Sequence, residues 1–131
     1  MKHLESEVRQ YLVERKWDKL RPSDLAKSIC IEAAELLEIF QWSAQGLDEV
    51  QQDEVKMELI KKELADVLIY AFDMAVLLNL DVTDIMRAKL AKIKEKYPAE
   101  LVRQNVREGV EPGTDPLYLQ IKKDFRQRGD T

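Results

Sequence analysis

Two short acidic signatures, Glu32-Ala-Ala-Glu35 and Glu63-Leu-Ala-Asp66, constrain this chain more than any other feature, because each sits inside an otherwise apolar helical run. On an α-helix, side chains three residues apart lie on neighbouring turns of one face, so each signature aims two carboxylates the same way. Like charges at that spacing repel, and carboxylates are rarely buried unless something neutralises them. A lone Glu-x-x-Glu is usually the solvated side of an amphipathic helix. Two such pairs among core-like neighbours ask for a cation.

The remaining composition predicts a helical protein. The chain has 131 residues, 45% of them hydrophobic and 35% charged, with only four Gly and four Pro. That length suits one domain over residues 1–131, with a core from about 4 to 98 and a tail from 99 to 131. Scarce turn residues predict an all-α fold, with a four-helix-bundle-like core of antiparallel helices. The net charge is −4 and the Lys and Arg residues are scattered along the sequence, which argues against polymeric nucleic acid as a partner. The start of the chain carries charges and no apolar signal segment, and the run from Val67 to Leu80 is too short to span a membrane, so a cytoplasmic location is expected. Cys30, the single cysteine, reads as a small core residue.

Taken in order, Leu4, Val8, Tyr11 and Leu12 mark a first helix ending near Trp17, and Pro22-Ser23 opens a second. The second is predicted to reach Ser43, with Leu25, Ile29, Leu36, Ile39 and Phe40 as its apolar stripe and Ala33 and Ala34 allowing a neighbour to approach. Gly46 suits a left-handed helix end, and Asp48 with Gln51 resembles a capping box for a third helix running from Glu49 to Leu80. From Leu64 onward that helix is nearly all apolar, predicting burial on most sides and oligomerisation. Asp81 and Asp84 signal a fourth helix to Lys96. Gly109, Pro112 and Gly113 mark a loop, and Asp115-Pro116 a short last helix to about Gln127, with Leu117, Ile121 and Phe125 on one face and Lys122, Lys123, Arg126 and Arg128 as a solvated basic surface.

Oxygen-only donors fit Mg²⁺, with Mn²⁺ as a substitute, since magnesium is usually held by a few carboxylates together with substrate phosphates. Thiolate and imidazole metals are disfavoured, because neither Cys30 nor His3 stands at ligand spacing from the acids. Glu38, one turn beyond Glu35, can orient or deprotonate a water, act as a further ligand, or be a plain surface acid, and spacing does not separate these. Trp17, Trp42 and Tyr70 offer faces on which a nucleobase stacks, Tyr70 from the Asp66 face of its helix. Asp73 extends the Glu63, Asp66, Tyr70 stripe and needs a partner, a structural ion pair or exposure at a subunit edge being favoured over a metal. Lys89 and Lys92 are either phosphate contacts or solvated.

The segments Ile31-Glu32-Ala-Ala-Glu35-Leu-Leu-Glu38-Ile-Phe-Gln-Trp42 and Lys62-Glu63-Leu-Ala-Asp66-Val-Leu-Ile-Tyr70 resemble the MazG-like all-α nucleoside triphosphate pyrophosphohydrolases, most closely their dCTP pyrophosphatase branch. The resemblance covers about Trp17 to Pro98. Ile31 and Ile93 depart from it, standing where many relatives have Glu and Asn. It implies Mg²⁺-dependent hydrolysis of a nucleoside triphosphate to the monophosphate and pyrophosphate, in the housecleaning of nucleotide pools. It further implies Mg²⁺ ligands at Glu32, Glu35, Glu63 and Asp66, a base pocket lined by Trp17, Trp42 and Tyr70, Lys89 near the phosphates, and a homodimer or homotetramer. The alternative is a non-catalytic helical module that binds nucleotide or another protein and keeps the fold.

Overall fold

The computed structural model describes residues 1–105 and 116–129, and every regular element among them is a helix: α1 (Lys2–Glu14), α2 (Pro22–Glu38), α3 (Leu47–Gln52), α4 (Glu54–Leu77), α5 (Val82–Lys96), α6 (Ala99–Asn105) and α7 (Pro116–Gln127). The all-α expectation holds. The loop expected around Gly109, Pro112 and Gly113, and the Asp115 cap, lie outside the described residues. The helices group into two compact units, residues 1–82 and residues 83 onward.

In the first unit α4 packs against both α1 and α2. At one end of the α2–α4 pair Lys56 donates hydrogen bonds to Ser43 and Gln45 and sits over the Phe40 ring, while further along Leu25 and Ser28 line one cleft with Ile69 and Asp73. The two helices therefore run antiparallel. So do α1 and α4: Arg9 donates to the Val76 carbonyl at 2.7 Å, and the Glu5 carboxylate accepts from the Val82 N–H at 3.0 Å where α5 begins. Leu12, Leu25, Phe72, Ala75, Val76 and Val82 are the buried apolar residues.

Three helix ends differ from the sequence reading. Helix α2 stops at Glu38, because residues 39–42 tighten into turns with Phe40 N–H donating to Leu37 and Gln41 N–H to Glu38. The predicted third helix is two helices, broken at Asp53, whose carboxylate accepts from the Lys56 N–H at 3.0 Å and so caps α4. The predicted Asp48–Gln51 box does not form, and Gly46 is the N-cap of α3 with extended backbone at φ −75° rather than a left-handed helix end. The left-handed ends belong instead to Lys16 and Asn79, at φ 58° and 56°. After each, the next N–H reaches back five residues, Trp17 to Leu12 and Leu80 to Ala75, a Schellman turn made without glycine.

Burial in the second half of α4 is one-sided. Phe72, Asp73, Ala75 and Val76 are buried, whereas Leu64, Leu68, Ile69 and Leu78 are exposed. Cys30 is exposed too, not a core residue, as are Ala33 and Ala34. Among the described residues no helix is long and apolar enough to cross a membrane.

In the second unit α6 packs on α7 and Tyr97 stacks on Tyr118, ring centroids 5.3 Å apart. Helix α7 spans the predicted Pro116–Gln127, and Leu117, Ile121 and Phe125 are its half-buried face. Helix α6 is an element the sequence reading missed, since Tyr97-Pro98 reads as an ending. Pro98 instead accepts from the Val102 N–H and starts a new turn.

Candidate metal and nucleotide site

The antiparallel pairing of α2 and α4 puts the two acidic signatures side by side. Glu32, Glu63 and Asp66 each place a carboxylate oxygen within 4.8 Å of the others, and Glu35 shares hydrogen bonds with Glu63 and Glu32. A hydrogen bond between two carboxyl groups needs a proton, and the Glu63 and Glu32 carboxylates hold Glu35 above the ordinary carboxylate range. Glu63 is only 8% exposed. Lys62 bonds its carboxylate at 3.3 Å, which raises the lysine's own pKa.

One lysine does not satisfy this cluster. Glu32 Oε2 and Glu63 Oε2 are buried without a hydrogen-bond partner. Orphaned carboxylate oxygens facing other carboxylates are costly as they stand and well matched to a hard divalent cation. The donor set is oxygen only, which suits Mg²⁺ or Mn²⁺ over thiolate-seeking metals. By this test Glu32, Glu63 and Asp66, with Glu35 beside them, fit a cation.

A cleft of about 410 Å³ opens from Asp66, lined by Tyr11, Trp17, Ser28, Ile69, Tyr70 and Asp73 among others. The Schellman turn after α1 folds Trp17 back so that its ring meets Tyr11 edge to face at 5.7 Å. Trp17 and Tyr70 thus share one cavity with a member of the acid cluster. Asp73 is 4% exposed, no ion pair reaches it among the described residues, its Oδ1 has no partner, and burial raises its pKa. The expected ion pair is absent there.

Trp42, Glu38 and Lys89 are not among the residues that line this cleft. Trp42 is 90% exposed in the turns after α2 and does not line the cleft, because the helix that was to carry it stops four residues earlier. Glu38 is exposed at the last position of α2. Lys89 lies on α5 in the second unit, in a different cleft with Lys92, Lys96 and Lys122. Two participants were overlooked in the sequence: Tyr11, whose i, i+6 relation to Trp17 becomes contact only through the Lys16 turn, and Lys62, the charge neighbouring Glu63.

Comparisons with known proteins give the chain's family. The model of the MazG-like family matches residues 27–109, which include all four acids. The chain is 30% identical over 104 residues to dCTP pyrophosphatase 1 of Homo sapiens, covering 78% of this chain and 61% of that protein, and 29% identical over 96 residues to its Mus musculus counterpart, covering 72% and 56%. It therefore spans about three fifths of the length of the curated relatives it matches. A solved pyrophosphatase from Archaeoglobus fulgidus superimposes with a TM-score of 0.66 at 36% identity, over 75% of this chain and 92% of that one.

Proposed function

The chain belongs to the MazG-like family, and from that premise we propose that it hydrolyses a (deoxy)nucleoside triphosphate to the monophosphate and pyrophosphate, with Mg²⁺ held by Glu32, Glu35, Glu63 and Asp66. The observation that carries the proposal is the convergence of Glu32, Glu63 and Asp66, with an oxygen of Glu32 and one of Glu63 buried and unpartnered. When bound, the cation screens the phosphate oxygens and stabilises charge developing on the leaving group.

The chain's own residues do the rest. Glu32, Glu63 and Asp66 gather the negative charge that draws a cation–phosphate complex into an otherwise acidic protein. Glu35, whose pKa the neighbouring Glu63 and Glu32 carboxylates raise, would serve in its ionised form as an acceptor for a water hydrogen. Glu38, exposed one turn further along α2, is the second acid to which we assign this role. Trp17 and Tyr70 present ring faces to the base beside Asp66. Trp42, exposed beyond the end of α2, and Lys89 of α5 are assigned to the base and the phosphates respectively, and the exposed Ile31, Leu37, Leu64 and Leu68 supply apolar surface for a homodimer or homotetramer. A nucleotide-pool housecleaning role accords with the curated relatives' name, dCTP pyrophosphatase 1.

The test is pyrophosphate release across a panel of nucleoside triphosphates with Mg²⁺, for the wild type and for Glu35→Gln and Asp66→Asn. Release from one or more nucleotides, lost in both variants, is the expected result. Activity that survives both substitutions sinks the site, and no turnover with any nucleotide favours the non-catalytic module.

A further inference from the structure

The second unit holds a basic cleft of which this reading uses Lys89 alone. It has a volume of about 570 Å³ and is lined by Lys89, Lys92, Lys96 and Lys122 with Tyr97, Tyr118 and Phe125, against one acid, Glu95. Lysines on exposed helices normally point apart into water. Here aromatic rings gather them: Lys96 Nζ lies 5.4 Å from the Tyr97 centroid and 5.1 Å from that of Phe125, and Lys122 Nζ lies 5.8 Å from that of Tyr118. Lys96 and Lys122 are half-buried, and among the described residues no carboxylate lies within ion-pair distance of Lys92, Lys96 or Lys122.

We infer that this cleft is a binding site for a condensed phosphate anion, recognised by Lys92, Lys96 and Lys122 without a metal. Ammonium groups already held over ring faces lose less freedom when an anion arrives, and they repel one another until it does. Several anionic oxygens on one small molecule match several converging point charges better than a single carboxylate does. The aromatic faces are largely engaged with each other and with the lysines, so the phosphate chain and not a base is the recognised part. This inference shares no residue with the acid cluster and does not depend on the proposed hydrolysis.

The experiment is calorimetric titration of the full chain in EDTA, so that no metal-bound phosphate contributes at the acids, with inorganic tripolyphosphate in one arm and a nucleoside triphosphate in the other. Binding is expected in both arms and should weaken as salt rises. The double substitution Lys96→Gln with Lys122→Gln should weaken it by about tenfold or more, as expected for loss of charged hydrogen bonds. Lys96→Arg with Lys122→Arg should restore it, which separates lost charge from lost fold, and Asp66→Asn should bind as the wild type does. No metal-free binding, binding indifferent to the glutamine pair, or binding that follows Asp66 instead would overturn the site. Binding of the nucleotide but not of tripolyphosphate would overturn recognition through the phosphate chain.

Discussion

The two compact units are made of the same material, amphipathic helices rich in Lys and Glu, yet they use charge in opposite ways. Residues 1–82 carry 10 Lys and Arg against 17 Asp and Glu, a net −7, while residues 83–131 carry 11 against 8, a net +3. In the first unit acids are driven into a helix–helix contact, where two of their oxygens find no partner. In the second, lysines are drawn over aromatic rings and keep one side open. The lesson is that overall net charge, −4, conceals a division between an acidic first unit and a basic second one.

The sharpest way to break this comparison is at the acids. Glu63→Gln should lower pyrophosphate release by more than the roughly 10–100-fold that loss of an outer partner of a metal site costs, with circular dichroism confirming that the helices remain. A smaller loss would mean that the cluster is structural.

Stability should differ between the units next. Leu12, 1% exposed between α1 and α4, should cost about 2–5 kcal/mol as Leu12→Ala. Leu119, 53% exposed on α7, should change stability by no more than about 0.5 kcal/mol as Leu119→Ala. Urea midpoints read both values. Saturating Mg²⁺, about 100 times its Kd, should add about 2.7 kcal/mol to the wild type, and this gain should be lost in Asp66→Asn.

The pH dependence sharpens the account of buried acids. Burial holds Asp73 above the ordinary carboxylate range. Between the pKa of the unfolded chain and the higher pKa of the folded one, the folded state holds more protons. Stability therefore falls as pH rises through that window and levels off above it, at no more than about 1.4 kcal/mol per pH unit for one group. In EDTA, Asp73→Asn should remove this contribution. Glu35 is raised in the same direction, so the informative quantity is the difference between wild type and variant. The smallest effect belongs to an exposed pair: Lys61→Ala breaks the 2.7 Å contact with Glu58 and should cost only about 0.2–0.5 kcal/mol. Lys62→Ala should cost more, because its partner Glu63 is buried.

Much of this was legible in the sequence for identifiable reasons. Period and spacing gave the helices and aligned each acidic pair, and Pro22 and Pro116 marked two helix starts where proline belongs. Helix ends were less legible where two signals competed: Asp53 read as one more polar residue of a long helix, yet its carboxylate captures the Lys56 N–H and divides it. Glycine was a poor guide, since Lys16 and Asn79, not Gly46, take the left-handed turns. For the site, i, i+3 and i, i+4 relations carried Glu32 with Glu35 and Asp66 with Tyr70. They could not place Trp42, whose position depends on where α2 stops, or reveal that Lys96 and Lys122, 26 residues apart in sequence, line one cleft.

If carboxylates of α2 and α4 together hold a divalent cation, Mn²⁺ binding followed by electron paramagnetic resonance will register it. Adding the wild-type chain should quench the free-ion signal with one strong site per chain, and Glu32→Gln or Asp66→Asn should restore it. An unquenched signal with the wild type, or equal quenching by wild type and both variants, would contradict the account.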